Sequence, residues 1–367
     1  MNTSATQPAT GLAPGHRRWL PILLFVGMPW FLGLAHMLIR PVPKSEPALK
    51  AELMNHRGLI DTITVGDSRV LRIRETPFAK RGWVYFNMAL TGMSPEDNAL
   101  QLQYAMSRFP IKRVIMGVAF ENMTQRFAFE KARYYNDPIF RGLPMNGLTG
   151  PAPRPKLRRN LINLVKDLLP VGQAGDTFRY YRNQWTHGLR PERDMLPDGC
   201  GEWVRIEYEI RNGTYDFAKN TDPNRYFLRD DHEARYLETK ELSEDAKRLY
   251  SRMFQYLRER HIPCLVFETV RTPAYQKMID ENPLLADLQA QWRAFYRSES
   301  RGSVRFLDAD SVRDCYNLRD FIDAEHFIGG STEERLGTRL SENLAALEAT
   351  QSKNAPVDAA GTKEPSK

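Results

Sequence analysis

The alternation of apolar and polar positions divides the chain into short strands and longer helices. Leu59 to Val65 is β-branched and apolar and stops at Gly66, which predicts a first strand. Trp83 to Asn87 predicts a second, and Arg113 to Val118 a third. Between these two, Ser94-Pro95-Glu96-Asp97 reads as a helix start, with a capping serine and proline at the first helical position; the helix should reach about Arg108. Further on, Ser243 to Arg260 predicts a helix and Ile262 to Phe267 a strand. A single helix follows from about Ala274 to Arg297, then a short strand at Val304 to Leu307. Ser331-Thr332-Glu333-Glu334 predicts a capping box that opens a last helix, ending near Glu348. Strands alternating with helices predict a parallel sheet in a three-layer α/β sandwich.

The rhythm breaks between about 121 and 240, which reads as an insertion into the α/β core. It holds the basic run 151–159 and the aromatic/basic run Phe178-Arg-Tyr-Tyr-Arg182. It also holds a helix with one apolar face from Leu157 to Leu169, suited to core packing or to lying on a membrane surface. Asn212-Gly213-Thr214 reads as a hairpin turn.

The N-terminus changes the picture. Trp19 to Ile39 spans 21 positions without Asp, Glu, Lys or Arg, enough for a helix to cross a hydrocarbon layer of about 30 Å. The expected order is therefore a disordered 1–18, an uncleaved transmembrane anchor at 19–39, an extended linker at 40–52, an α/β domain at 53–348 and a loose tail at 349–367. Basic residues flank the span on both sides, so charge orients it weakly. The formal charge of +7 suits an anionic surface or polymer, but no nucleic-acid motif accompanies it. Cys200, Cys264 and Cys315 form no C-x-x-C pair, which argues against a zinc ribbon. Cys264 reads as a core thiol, and a Cys200–Cys315 disulfide stays open for an exported domain.

Two motifs carry chemistry. In Val65-Gly66-Asp67-Ser68-Arg69 a strand runs into a tight turn and delivers a serine at its carboxyl end, where open α/β sheets bind ligands. In Asp323-Ala324-Glu325-His326 a carboxylate three residues from an imidazole can fix its tautomer and leave the other ring nitrogen to take a serine proton. Either motif alone is common. His232-Glu233 lacks the second histidine of a zinc-peptidase motif, and no phosphate-binding glycine loop is present.

Taken in this order, the motifs resemble those of the SGNH (GDSL) hydrolase family, over about 53–120 and 241–348. The resemblance implies a flavodoxin-like sandwich with Ser68 as nucleophile and Asp323 and His326 as its partners. It implies an oxyanion hole from the backbone N–H groups of Ser68 and Gly92, with Asn122 as third donor. The Gly117-Val-Ala-Phe-Glu121-Asn122 segment departs from the family's G-x-N-D. Asp67 and Arg69 are candidate substrate contacts, although a solvated or salt-bridged arginine is the commoner arrangement for Arg69. The anchor and the Gly-Asp-Ser-Arg start look like the polysaccharide O-acetylation branch. That implies an O-acetyltransferase or esterase acting outside the cytoplasm on an envelope or exopolysaccharide glycan. It would need no cofactor or metal and bind no nucleic acid. Its partners would be an acylated small molecule or glycan, a membrane-embedded acyl-donor protein, and the inner membrane through the N-terminal helix. The alternative is a non-catalytic SGNH-fold subunit of an envelope or polysaccharide assembly.

Overall fold

A computed structural model describes residues 46–124, 194–202, 204–221, 241–328 and 330–354. All belong to one unit covering Lys44–Ala152 and Glu192–Lys367. The anchor at 19–39, the Leu157–Leu169 helix, the 178–182 run, His232-Glu233 and the end of the tail lie outside the described residues. Among the described residues no helix is long and apolar enough to cross a membrane.

Five parallel strands form the central sheet: β1 (Thr62–Val65), β2 (Tyr85–Asn87), β3 (Arg113–Val118), β6 (Cys264–Glu268) and β7 (Val304–Leu307). Their order is β2-β1-β3-β6-β7, so the chain winds outward both ways from the β1–β3 pair, as in doubly wound sheets. Register pairs Ile63 with Val114 and Ile115 with Leu265.

Side chains alternate across the sheet, as a pleat requires. Ile63, Val65, Val114, Met116 and Val266 face one apolar cluster, completed by α1 (Glu46–Arg57), α3 (Pro95–Arg108), α6 (Glu244–Glu259), α7 (Pro273–Glu281) and α8 (Pro283–Glu299). Tyr85, Ile115, Leu265 and Phe267 face the other, built with α2 (Thr76–Ala79), α9 (Ala309–Val312) and α10 (Gly330–Asn354). The result is the expected α/β architecture with helices on both faces of an all-parallel sheet.

Several local expectations hold. Ser94 caps α3 in a reciprocal box with Asp97, and Ser243 caps α6. Others are corrected. The helix expected over 274–297 is two, because Pro283 cannot continue a hydrogen-bonded turn and pushes Asn282 out of helical geometry. Asn282 then caps α8 by accepting from the N–H groups of Leu284 and Leu285. The linker expected at 40–52 is helical from Glu46, where α1 begins and buries Lys50 and Met54. Lys50 donates to the carbonyls of Asn87 and Gly199 at 2.9 Å each. Burial lowers this ammonium to about 8 despite Glu46 nearby. The last helix outruns the expected boundary at 348 and reaches Asn354. Its first turn is held from outside the expected box, by Asp320, which accepts from the Thr332 N–H at 2.9 Å.

Part of the insertion belongs to the core. A hairpin of β4 (Asp194–Met195) and β5 (Gly201–Glu202) covers the exposed edge of β2, where the Asn87 N–H donates to the Asp198 carbonyl at 2.8 Å. A Cβ on Gly199 would stand 2.3 Å from the Asn87 oxygen, so only glycine permits this approach. After the hairpin come α4 (Val204–Arg211) and α5 (Phe217–Thr221). Asn212-Gly213 is the left-handed end of α4, with Gly213 at φ +67°, and not a hairpin turn. All three cysteines are buried free thiols, so the Cys200–Cys315 link is not made.

Candidate active site

The site sits at the carboxyl edge of the sheet. β1 ends at Val65, and Gly66 (φ +149°) turns the chain into a 3₁₀ turn at Ser68–Val70. Asp67 caps that turn by accepting from the Arg69 N–H at 2.9 Å. The turn lies flat on β3. A Cβ on Gly117 would stand 2.3 Å from Val70, and one on Gly66 would stand 2.8 Å from the Gly117 oxygen. The buried amide of Asn87 donates to the carbonyls of Val70, Leu71 and Ile73, which holds the segment after the serine. Ser68 is thereby left half-buried at the sheet edge.

The second turn comes from the segment before α10. Phe321 and Phe327 pair across it and are both buried beside the Tyr316 ring. The Ile322 N–H donates to the His326 carbonyl at 2.9 Å and closes the loop. Inside it, Asp323 Oδ1 accepts from the N–H groups of Glu325 (2.8 Å) and His326 (2.7 Å).

The two turns meet. Ser68 Oγ lies 2.8 Å from His326 Nε2, and His326 Nδ1 lies 2.9 Å from Asp323 Oδ2. Burial opposes charge on both partners, but each ion stabilises the other. Asp323 is held below the usual carboxyl value by the imidazolium and by the bonds it accepts. His326 is raised above its ordinary value by the Asp323 charge. Such a chain can move a proton from hydroxyl to imidazole while the carboxylate fixes the tautomer.

No family model matches the chain, and no curated protein does.

The other expected residues fall into two groups. Gly92 adopts φ +62° in the loop after β2. That loop runs beside the serine turn, since the Leu90 N–H donates to the Gly66 carbonyl at 3.1 Å. Asn122 lies in the 3₁₀ turn after β3 and donates Nδ2–H to Asp67 Oδ2 at 2.8 Å. Asn122 thus bonds directly to the turn that carries Ser68, and Gly92 stands two residues past the contact of its loop with that turn. Among the described residues no hydrogen bond joins either one to Ser68 itself.

Asp67 and Arg69, expected as substrate contacts, lie in an internal salt bridge. Both are buried, and the Arg69 guanidinium pairs with Asp67 and with Glu325 Oε1 (2.8 Å), and approaches Glu121 at 3.8 Å. Arg271, just beyond β6, donates to Glu121 and lies 3.7 Å from Glu325. A nearly dry cluster of charges thus lies beneath the serine and histidine. Burial works against ionisation of Asp67 and Glu121, but their arginines hold both below the usual carboxyl value. Glu325 goes the other way: burial raises it, and Arg69 only partly offsets the effect.

Sequence reasoning passed over Glu121, Arg271 and Glu325. The available signal was a charge within an otherwise apolar strand end, as at Phe267-Glu-Thr-Val-Arg271. Among the described residues, no group of three or more His, Cys, Asp or Glu is placed to hold a metal ion.

Proposed function

We propose that the chain is a serine-dependent acyl-ester enzyme of the SGNH (GDSL) type on a flavodoxin-like sandwich. In this reading it is an O-acetyltransferase or esterase for a cell-envelope or exopolysaccharide glycan, anchored by 19–39 with its α/β domain outside the cytoplasm. The observation that carries the reading is the continuous contact from Ser68 Oγ through His326 to Asp323, at 2.8 and 2.9 Å.

His326 Nε2 takes the Ser68 proton as Oγ bonds to the acyl carbon. The carbonyl electrons move to oxygen, where this reading assigns the N–H groups of Ser68 and Gly92 and the amide of Asn122 as donors. As the carbonyl reforms, the ester C–O bond breaks and His326 returns the proton to the departing alkoxide. A water or sugar hydroxyl then gives its proton to His326 and attacks the acyl-serine, and the proton returns to Ser68. Glycan O-acetylation supplies the natural acceptor for the second half; water gives an esterase. The support for a glycan over other alcohols is the resemblance of the Gly-Asp-Ser-Arg start and the apolar N-terminal span to anchored polysaccharide acetylation proteins.

The test uses detergent-solubilised full-length protein and p-nitrophenyl acetate, with and without an oligosaccharide acceptor. The expected result is acetyl release that falls about a thousandfold or more in Ser68→Ala and in His326→Ala. Equal activity of wild type and Ser68→Ala would sink the reading. A folded wild type without activity and without labelling by a fluorophosphonate would favour a non-catalytic assembly subunit.

A further inference from the structure

Ser68 and His326 stand 258 residues apart, on two turns that share no strand pairing. A single hydroxyl–imidazole hydrogen bond is too weak to fix two loops on its own. The neighbouring residues supply a second link. Arg69 follows Ser68, Glu325 precedes His326, and Arg69 Nη2 donates to Glu325 Oε1 at 2.8 Å.

Three features make this link rigid. Arg69 and Glu325 are 8% and 6% exposed, so solvent screens the pair little. Arg69 is braced on its own turn, because Asp67 accepts from both its backbone N–H and its guanidinium. Glu325 is braced from the far side by Arg271, which is locked to Glu121, and Glu121 precedes Asn122. The ends of β1, β3 and β6 and the histidine turn are thus joined through one set of charges. The Ser68–His326 contact runs one residue above it and in parallel.

We propose that Arg69 is a positioning residue for the serine–histidine pair: its clasp on Glu325 sets the distance between the nucleophile turn and the histidine turn. This rests on the acyl-ester reading above. Arg69 touches no reacting atom. It acts by keeping Ser68 Oγ within reach of His326 Nε2, where a displacement of about 1 Å can cost about 100-fold in rate.

The experiment measures the rate of fluorophosphonate labelling of the full-length chain against pH. In labelling, the serine oxygen bonds to phosphorus, fluoride leaves and His326 takes the proton. Arg69→Met and Glu325→Gln are each expected to label about 100-fold slower. Their rate should also lose the inflection due to His326 and rise in proportion to hydroxide, because a serine out of reach of the imidazole depends on solvent base. The double variant should be no slower than the slower single one, since one clasp is lost only once. Arg69→Lys keeps the buried positive charge but cannot hold Asp67 and Glu325 together. It is expected to fold as wild type and still label at least about 10-fold slower, and it decides the matter if Arg69→Met does not fold.

Arg69→Lys at the wild-type rate with the inflection in place overturns the clasp. So do losses that multiply in the double variant. Labelling that survives in Ser68→Ala, or a silent wild type, instead overturns the serine reading itself, and the clasp with it. A wild type that labels at Ser68 alongside unaffected Arg69 variants removes only the clasp.

Discussion

At the scale of single residues, His326 and Asp323 set opposite demands. Asp323 raises His326 above its ordinary value near 6.5, so the stability that the histidine contributes is full below about 6.5 and is lost as pH rises through the raised folded value. The Asp323 carboxyl lies below its ordinary 3.8, so its contribution is present above that value and is lost as pH falls through the folded one. The pair therefore stabilises the fold most between about pH 4 and 6.5, when both are charged. The proposed reaction needs the neutral imidazole, so activity should rise through the raised histidine value, above the window where the pair helps most. In Asp323→Asn the charge that raises His326 is gone while its burial remains. The acid limb of the rate profile should move to lower pH, and the plateau should fall about 10,000-fold as the tautomer is lost. A limb that stays in place, measured by initial rates across pH 4 to 9, would mean that another group governs it.

At the scale of elements, the turn that carries Ser68 depends on how closely it can approach β3. Val70 is fully buried against Gly117, where a Cβ would stand 2.3 Å from its Cγ1. Gly117→Ala must push the turn off the strand and should cost about 1–3 kcal/mol in a denaturant melt. It should slow Ser68 labelling as well, because Val70 and Ser68 share one turn. Gly117→Ala with Val70→Ala should recover most of the labelling, although it leaves the core less filled. A double variant as slow as the single one would show that Gly117 matters for some other reason.

The same scale explains what could be read in advance. β3 and β7 match their expected ends, since Val114 to Val118 is an unbroken apolar stretch and β7 is bounded by Ser303 and Asp308. The helix at Glu46–Arg57 was hidden by Pro47 and by Lys50, whose buried charge reads as solvent-facing until the Asn87 and Gly199 carbonyls are seen to receive it. Ser68, Asp323 and His326 were legible because each lies in a short local motif. The ions beneath them were not, since Arg69 finds Glu325 and Glu121 finds Arg271 only after the chain has folded.

At the scale of the whole molecule, the hairpin at 194–202 raises the question of whether the insertion is an appendage or a part of the fold. Its Asp198 carbonyl takes the last N–H of β2, its Gly199 carbonyl takes Lys50, and its Gly201 N–H bonds to Leu71, beyond the nucleophile turn. Those bonds tie it to α1, β2 and the serine segment at once, so the hairpin should open only when the domain does. The three thiols report on this. Cys200 lies in the hairpin, Cys264 begins β6, and Cys315 follows α9. Burial pushes Cys200 up to about 12 and Cys315 up to about 11, and it raises Cys264 further still. None holds appreciable thiolate near pH 8, so a disulfide reagent can act only on opened molecules. All three should then react at one slow rate that tracks global unfolding, and at once in full denaturant. The check is to follow each cysteine by peptide mapping during the reaction. If Cys200 reacted well ahead of Cys264, the hairpin would be opening by itself, and its hydrogen bonds to β2 and the Ser68 segment would be too weak to count it as core.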